Sequence, residues 1–233
     1  NIEETENLFR FLDKKLKQKM GFGLAQDLKP PFLKLSVNDA FKNYAGFELF
    51  HTTSSESSSQ IAISDLSKQA RRLSILEPDD NKFENWTWEE LYNAIFVQCV
   101  EPNLPKEKCV FLMDYPSEVR CLAQNKDKYT KERWELYGRG IELANCYSEE
   151  TDGNLVRKYF EIEGKEKNET CRIKHAIDDD YWRNFAPMSK GGYTKDGFPK
   201  CSGVAMGIDR LIMLLCGKSD ISLVTSFEND YLK

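Results

Sequence analysis

Histidine is nearly missing from this 233-residue chain, which carries only His51 and His175. A histidine-rich metal centre is thereby excluded, and a Ser-His-Asp hydrolase has little to build on. The seven cysteines (99, 109, 121, 146, 171, 201 and 216) are odd in number and form no C-x-x-C pair. They read as reduced, partly buried thiols of a cytoplasmic protein rather than as disulfides or zinc ligands. Long apolar runs are missing too. The stretch from Leu211 to Cys216 is far too short to span a bilayer. No signal peptide is recognised, so a membrane is not an expected partner. Positive charge is not in excess: 33 Lys and Arg against 38 Asp and Glu leave a net charge of −5. No global basic field draws such a chain to nucleic acid, although a local basic patch stays open.

What is present suffices for one sizeable core, with 40% hydrophobic and 12% aromatic residues. Periodicity predicts an amphipathic helix over Glu3 to Lys19, with Leu8, Phe11, Leu12 and Leu16 on its apolar face and lysines at its C-terminal end. Ser36 is a helix start running on to Tyr44, and Ile61 to Leu76 is a second helix. Between them the serine-rich TTSSESSSQ is expected to be a mobile polar loop. Thr87 and Glu90 have capping-box spacing, opening a helix to about Val100 that Pro102 and Pro105 end. Residues 36–104 therefore read as a helical insertion within a single domain spanning 1–233. Cys109 to Tyr115 is a buried strand. Further helices are expected over Asp152 to Lys167 and Asp178 to Phe185, and a terminal helix or strand over Asp220 to Phe227.

The stretch from Cys201 to Leu215, CSGVAMGIDRLIMLL, passes from small residues to an apolar run. It reads as a strand, a tight turn and a helix from about Asp209. Gly203 and Gly207 permit close approach of a ligand or of another backbone. Arg210, on the first helical turn, can aim a planar, always-charged fork at a phosphate or lie over an aromatic base. Taken alone, the pattern fits equally a buried junction with Arg210 in a surface ion pair.

Upstream, RWELY and IELANCYSE flank Arg139-Gly140 as a hairpin. A two-residue turn pairs Tyr137 with Glu142 and puts Glu135, Tyr137 and Glu142 on one face. Two carboxylates sharing a face repel unless a cation sits between them, and Mg²⁺ carrying a nucleoside triphosphate is such a cation. From the hairpin alone, exposed acids on a wet face are the favoured alternative. Glu142 and Asn145 are an odd number of residues apart, so sharing a face requires a bulge, expected between Ala144 and Tyr147. Glu149 would need a partner if buried, either a substrate ammonium or a lysine or arginine of the chain. Tyr137 and Tyr147 are either pocket walls or core.

Three segments, FLMDYPSE, ERWELYGRGIELANCYSEETD and CSGVAMGIDRLIML, together resemble the class II aminoacyl-tRNA synthetases of the lysyl type. The likeness is greater to the protein-modifying branch that acts on elongation factor P, because Ala144 precedes Asn145 and Ala205 stands where the tRNA enzymes have glycine. The resemblance implies an α+β fold, an antiparallel β-sheet flanked by helices, incomplete at its N-terminal side. It implies an ATP-dependent ligase whose Glu135 and Glu142 hold Mg²⁺-ATP. Leu143 would contact the nucleotide through its backbone, Gly207 would allow ATP to approach, and Arg210 would clamp the γ-phosphate and stack on adenine. Asn145 would orient the substrate, Glu149 would receive its ammonium, and Ala205 would shape the pocket floor.

Motif 1, which forms the dimer interface in that family, and motif 2, with its α-phosphate arginine, are not found. The chain, opening on Asn1, is expected to be the C-terminal part of the core. Activation of a lysine-type amino acid with transfer to a lysine of elongation factor P is the expected function. Aminoacylation of tRNA is the alternative, and a non-catalytic paralogue the third reading.

Overall fold

The computed structural model describes residues 1–51, 59–174, 176, 178 and 180–225. The first helix, α1 (Ile2–Met20), has Glu3 and Glu4 in its first turn and Lys17 and Lys19 in its last, each favourable to the helix dipole. Gly21, at φ 78°, ends it by donating its amide to the Lys17 carbonyl. Its buried stripe is the expected one only in part: Leu12 and Leu16 pack against the core. Leu8 and Phe11 are 40% and 54% exposed, whereas Phe9 is buried. Phe9 meets Phe32 edge-on at 5.0 Å, and the Glu6 carboxylate is held inside by the Phe32 amide at 2.8 Å. A long-range hydrogen bond, invisible to periodicity, thus adds Glu6 to the buried side of the helix.

Strand β1 (Leu33–Ser36) leads into α2 (Val37–Ala40), whose cap is the Ser36 hydroxyl accepting from the Asp39 amide. The helix widens into a π-turn over Phe41–Ala45. Strands β2 (Phe50–His51) and β3 (Ser59–Gln60) form a small antiparallel pair. The serine-rich stretch between them lies outside the described residues. Helix α3 (Ile63–Arg72) is shorter than expected and closes near Ser74, at φ 58°. Helix α4 (Trp88–Ile95) starts at a reciprocal Thr87–Glu90 capping box and runs into a second π-turn over Phe96–Val100. Trp88, Tyr92 and Phe96 stack along it at 5.5 and 5.7 Å.

The main sheet adds β4 (Val110–Met113), β5 (Arg133–Gly138), β6 (Ile141–Ser148) and β7 (Ser202–Met206), in the order β1-β4-β5-β6-β7. Only β1 and β4 run parallel; the other pairs are antiparallel. Helix α5 (Gly153–Thr170) starts at Asp152, and α6 (Ile208–Leu215) follows β7 after Gly207. The stretch expected to be helical over Asp178 to Phe185 yields one 3₁₀ turn, Tyr181–Asn184, and Ile221–Leu223 is another such turn. Residues from 226 onward, and so the end of the expected terminal element, lie outside the described residues.

Alternation along the strands gives the sheet two apolar faces. One packs Phe111, Trp134, Leu136 and Leu143 against Phe9 of α1 and Leu211 and Leu214 of α6. The other packs Val110, Leu112, Tyr115 and Tyr137 against α2, α3 and the aromatic stack of α4. Residues 36–104 thus share a core with the sheet. All seven cysteines are free thiols. Among the described residues no helix is long and apolar enough to cross a membrane.

Candidate active site

The hairpin turn has both central residues left-handed, Arg139 at φ 53° and Gly140 at φ 79°, the twist a two-residue connection requires. It fixes the pairs Gly138 with Ile141 and Tyr137 with Glu142. The register then slips by one residue, and Leu136 faces Ala144 while Glu135 faces Asn145. Leu143 is the extra residue of this bulge, which lies nearer the turn than the span from Ala144 to Tyr147 where it was expected. The reason is packing. Gly138 leaves room for Leu143, Cys109 and Leu214, and a Cβ at Gly138 would stand 3.0 Å from the Leu143 side chain. The bulge puts Glu142 and Asn145 on the same face as Glu135, opposite Leu143.

Glu135 is only 6% exposed, and donors surround its carboxylate. Oε1 accepts from Arg133 Nη2 at 2.6 Å and from Asn145 Nδ2 at 3.5 Å. Oε2 accepts from the hydroxyls of Tyr115 at 2.5 Å and Tyr137 at 2.8 Å. Burial, then the charge of Glu135, push both phenols above their ordinary range, so they remain donors. Tyr137 is therefore core, with a polar tip on Glu135, and not a pocket wall. Glu135 is not an acid on a wet face.

Glu142 sits differently. Its carboxyl is raised above the usual range by burial and then by the Glu135 charge, against the pull of Arg210 and Arg133. Arg210, on the first turn of α6, donates from Nη1 to the Glu142 carbonyl at 2.9 Å and stands 3.5 Å from its Oε2. Glu135, Glu142 and Arg210 are thus brought to one region. Leu143 turns its side chain into the opposite core, and its carbonyl accepts the Gly207 amide at 2.9 Å. A Cβ on Gly207 would come no closer than 3.4 Å to Arg210, and one on Gly203 would meet nothing within 4 Å. The fold itself therefore demands glycine at neither position.

Farther along this side of the sheet, Asn145, Tyr147, Glu149, Gly203, Val204 and Ala205 line a cleft of about 330 Å³. Asn145 Oδ1 is buried there without a hydrogen-bond partner among the described residues. Burial raises the Glu149 carboxyl, and among the described residues no lysine or arginine pairs with it. An acid raised by burial and an acceptor without a donor are what a bound ammonium would relieve.

Among the described residues no three His, Cys, Asp or Glu side chains gather as a metal site. Magnesium bound with a triphosphate needs only one or two protein carboxylates. Glu142, raised by burial and then by a second acid beside it, fits such an ion. Glu135 fits if it frees one acceptor position, and the 3.5 Å contact from Asn145 is the longest of the four.

Arg133 was not among the residues singled out from sequence. The signal was there: it lies two residues before Glu135 on one strand, hence on the same face with opposite charge.

A mostly antiparallel sheet flanked by helices, with a glycine-terminated strand feeding Arg210 into a helix start, is a class II synthetase core. The chain belongs to the tRNA synthetases class II (D, K and N), whose family model matches residues 2–230. It is 36% identical over 141 residues to the elongation factor P–(R)-β-lysine ligase of Yersinia enterocolitica, a match covering 60% of this chain and 41% of that protein. The matched region thus spans about two fifths of the relative's length.

Proposed function

We propose that the protein is an ATP-dependent ligase that activates a lysine-type amino acid as its adenylate and passes the acyl group to a lysine of elongation factor P. The observation that carries this reading is the Glu135, Glu142 and Arg210 cluster beside a cleft whose acid, Glu149, pairs with no lysine or arginine among the described residues. In the reaction, the amino-acid carboxylate attacks the α-phosphorus of ATP and pyrophosphate departs; the acceptor amine then attacks the acyl carbon of the adenylate, forming the amide and releasing AMP. Catalysis is positional and electrostatic, with no side-chain nucleophile. Arg210 holds the γ-phosphate and stacks on the adenine. Glu142 and Glu135 would hold Mg²⁺, which when bound supplies positive charge to the triphosphate. The Leu143 backbone and Gly207 border the nucleotide. Asn145 orients the amino acid, Glu149 takes its ammonium, and Ala205 forms the floor. The name of the Yersinia relative supports elongation factor P as the acceptor.

The deciding experiment supplies the full-length protein with ATP, Mg²⁺ and labelled lysine or β-lysine, and offers purified elongation factor P or bulk tRNA. Label in elongation factor P is the expected result. Label in tRNA alone moves the protein to tRNA aminoacylation, and label in neither removes the activity.

Glu149 gives a pH dependence. The ammonium needs the ionised carboxylate, so amino-acid affinity is full above the raised Glu149 pKa and is lost as pH falls through it. Glu149→Gln should lower affinity at neutral pH by about ten- to a hundredfold, the usual loss for a hydrogen bond to a charged group. It should also flatten the acid limb, as read by calorimetric titration of the amino acid from neutral to acidic pH.

A further inference from the structure

One side chain touches both members of the buried Arg133–Glu135 pair. Tyr115 places its hydroxyl 2.5 Å from Glu135 Oε2, and its ring centroid lies 4.5 Å from the Arg133 guanidinium carbon. Tyr115 is itself only 3% exposed. Its place is set from both sides. Asp114, just before it, takes a left-handed backbone at φ 58° and is held by Lys126 at 2.7 Å. Phe96, at the end of the α4 aromatic stack, lies 6.5 Å away. The acid is therefore braced by a wall that belongs to the helical layer, while its Oε1 also meets Asn145, a residue that lines the cleft.

We propose that Tyr115 and Arg133 are positioning residues that hold the Glu135 carboxylate in one orientation, with Asn145 as the single contact that yields when magnesium-bearing nucleotide arrives. This rests on reading Glu135 and Glu142 as the acids toward Mg²⁺-ATP. A carboxylate already locked by its neighbours loses little rotamer freedom on taking a ligand. Tyr115 and Tyr137 grip Oε2 with two short bonds. Oε1 has one short bond from Arg133 and one long one from Asn145. The opening is therefore at Oε1, beside the amide that also borders the amino-acid cleft. Magnesium-nucleotide binding on this arrangement frees Asn145 for the substrate, and the two sites are coupled through a single side chain.

The test measures ATP affinity of the full-length protein by calorimetry over a range of Mg²⁺ concentrations and in its absence. Tyr115→Phe removes the hydroxyl and keeps the ring. It should raise the Mg²⁺ concentration for half-maximal strengthening of ATP binding about tenfold, the worth of one hydrogen bond to a charged group. Magnesium-free ATP affinity should stay unchanged. Tyr92→Phe is the control, because the buried Tyr92 hydroxyl has no hydrogen-bond partner among the described residues; it should leave the magnesium dependence alone. If Tyr115→Phe fails to fold, Arg133→Lys, which keeps the charge and loses the planar fork, should shift the requirement the same way. An unshifted requirement in Tyr115→Phe, an equal shift in Tyr92→Phe, or an equal loss with and without Mg²⁺ overturns the proposal. A wild-type protein whose ATP binding gains nothing from Mg²⁺ fails at the site reading itself and takes the proposal with it.

Discussion

Replacing Arg210 with alanine in the full-length protein is expected to cut amino-acid-dependent ATP–pyrophosphate exchange about 10²- to 10³-fold, the range for losing one preorganised charge-stabilising group. Stability should barely move, within about 0.5 kcal/mol, because the side chain is exposed and outside the core. Its side chain is 49% exposed and, among the described residues, holds only Glu142, through the carbonyl at 2.9 Å and the carboxylate at 3.5 Å. Arg210→Lys keeps the charge but not the flat fork that meets phosphate and purine together, so it should recover only part of the rate. Exchange that proceeds undiminished in Arg210→Ala would strip the residue of its place at the phosphates.

The largest loss of stability should come from Glu135→Gln. The substitution preserves shape but leaves the Arg133 guanidinium without its carboxylate, at 2.6 Å and nearly out of solvent. It also sets an amide among donors. Breaking one side of a buried ion pair costs about 3–5 kcal/mol, which the urea midpoint of unfolding will report. Glu142→Gln is the informative contrast. That acid is raised by burial and by Glu135, so its ionised form is disfavoured in the folded protein above its ordinary pKa. Removing the charge at neutral pH should leave stability unchanged or higher. If Glu142→Gln proves as damaging as Glu135→Gln, the two acids do not occupy the different environments described.

Local chemistry was legible in the sequence. The Thr87–Glu90 cap, the two-residue turn at Arg139 and Gly140, and the strand-to-helix switch at Gly207 each depend on a few neighbouring residues, and each stands where expected. The pairing of Tyr137 with Glu142 followed from the turn alone. What was hidden depends on contacts across the chain. Glu6 is an acid on paper, yet the Phe32 amide holds it inside, on the buried side of α1. The need for a bulge was readable from the odd spacing of Glu142 and Asn145. Its position was not, because Gly138, Cys109 and Leu214 set the space into which Leu143 turns. Tyr115 looked like the last residue of an ordinary strand. Only the fold brings its hydroxyl to an acid 20 residues on.

The slipped register at Leu143 has a consequence for which length changes the protein can survive. Loops elsewhere can gain or lose residues at small cost. Deleting a single residue between Glu142 and Asn145 would remove the bulge and leave the acid and the amide two apart, still on one face, whereas regular pairing of the strand at its present length would swing one of them to the far side of the sheet. Every side chain could keep its identity and the fold its outline, yet the two halves of the pocket would no longer see each other. Along this strand, spacing is as much a functional constraint as composition.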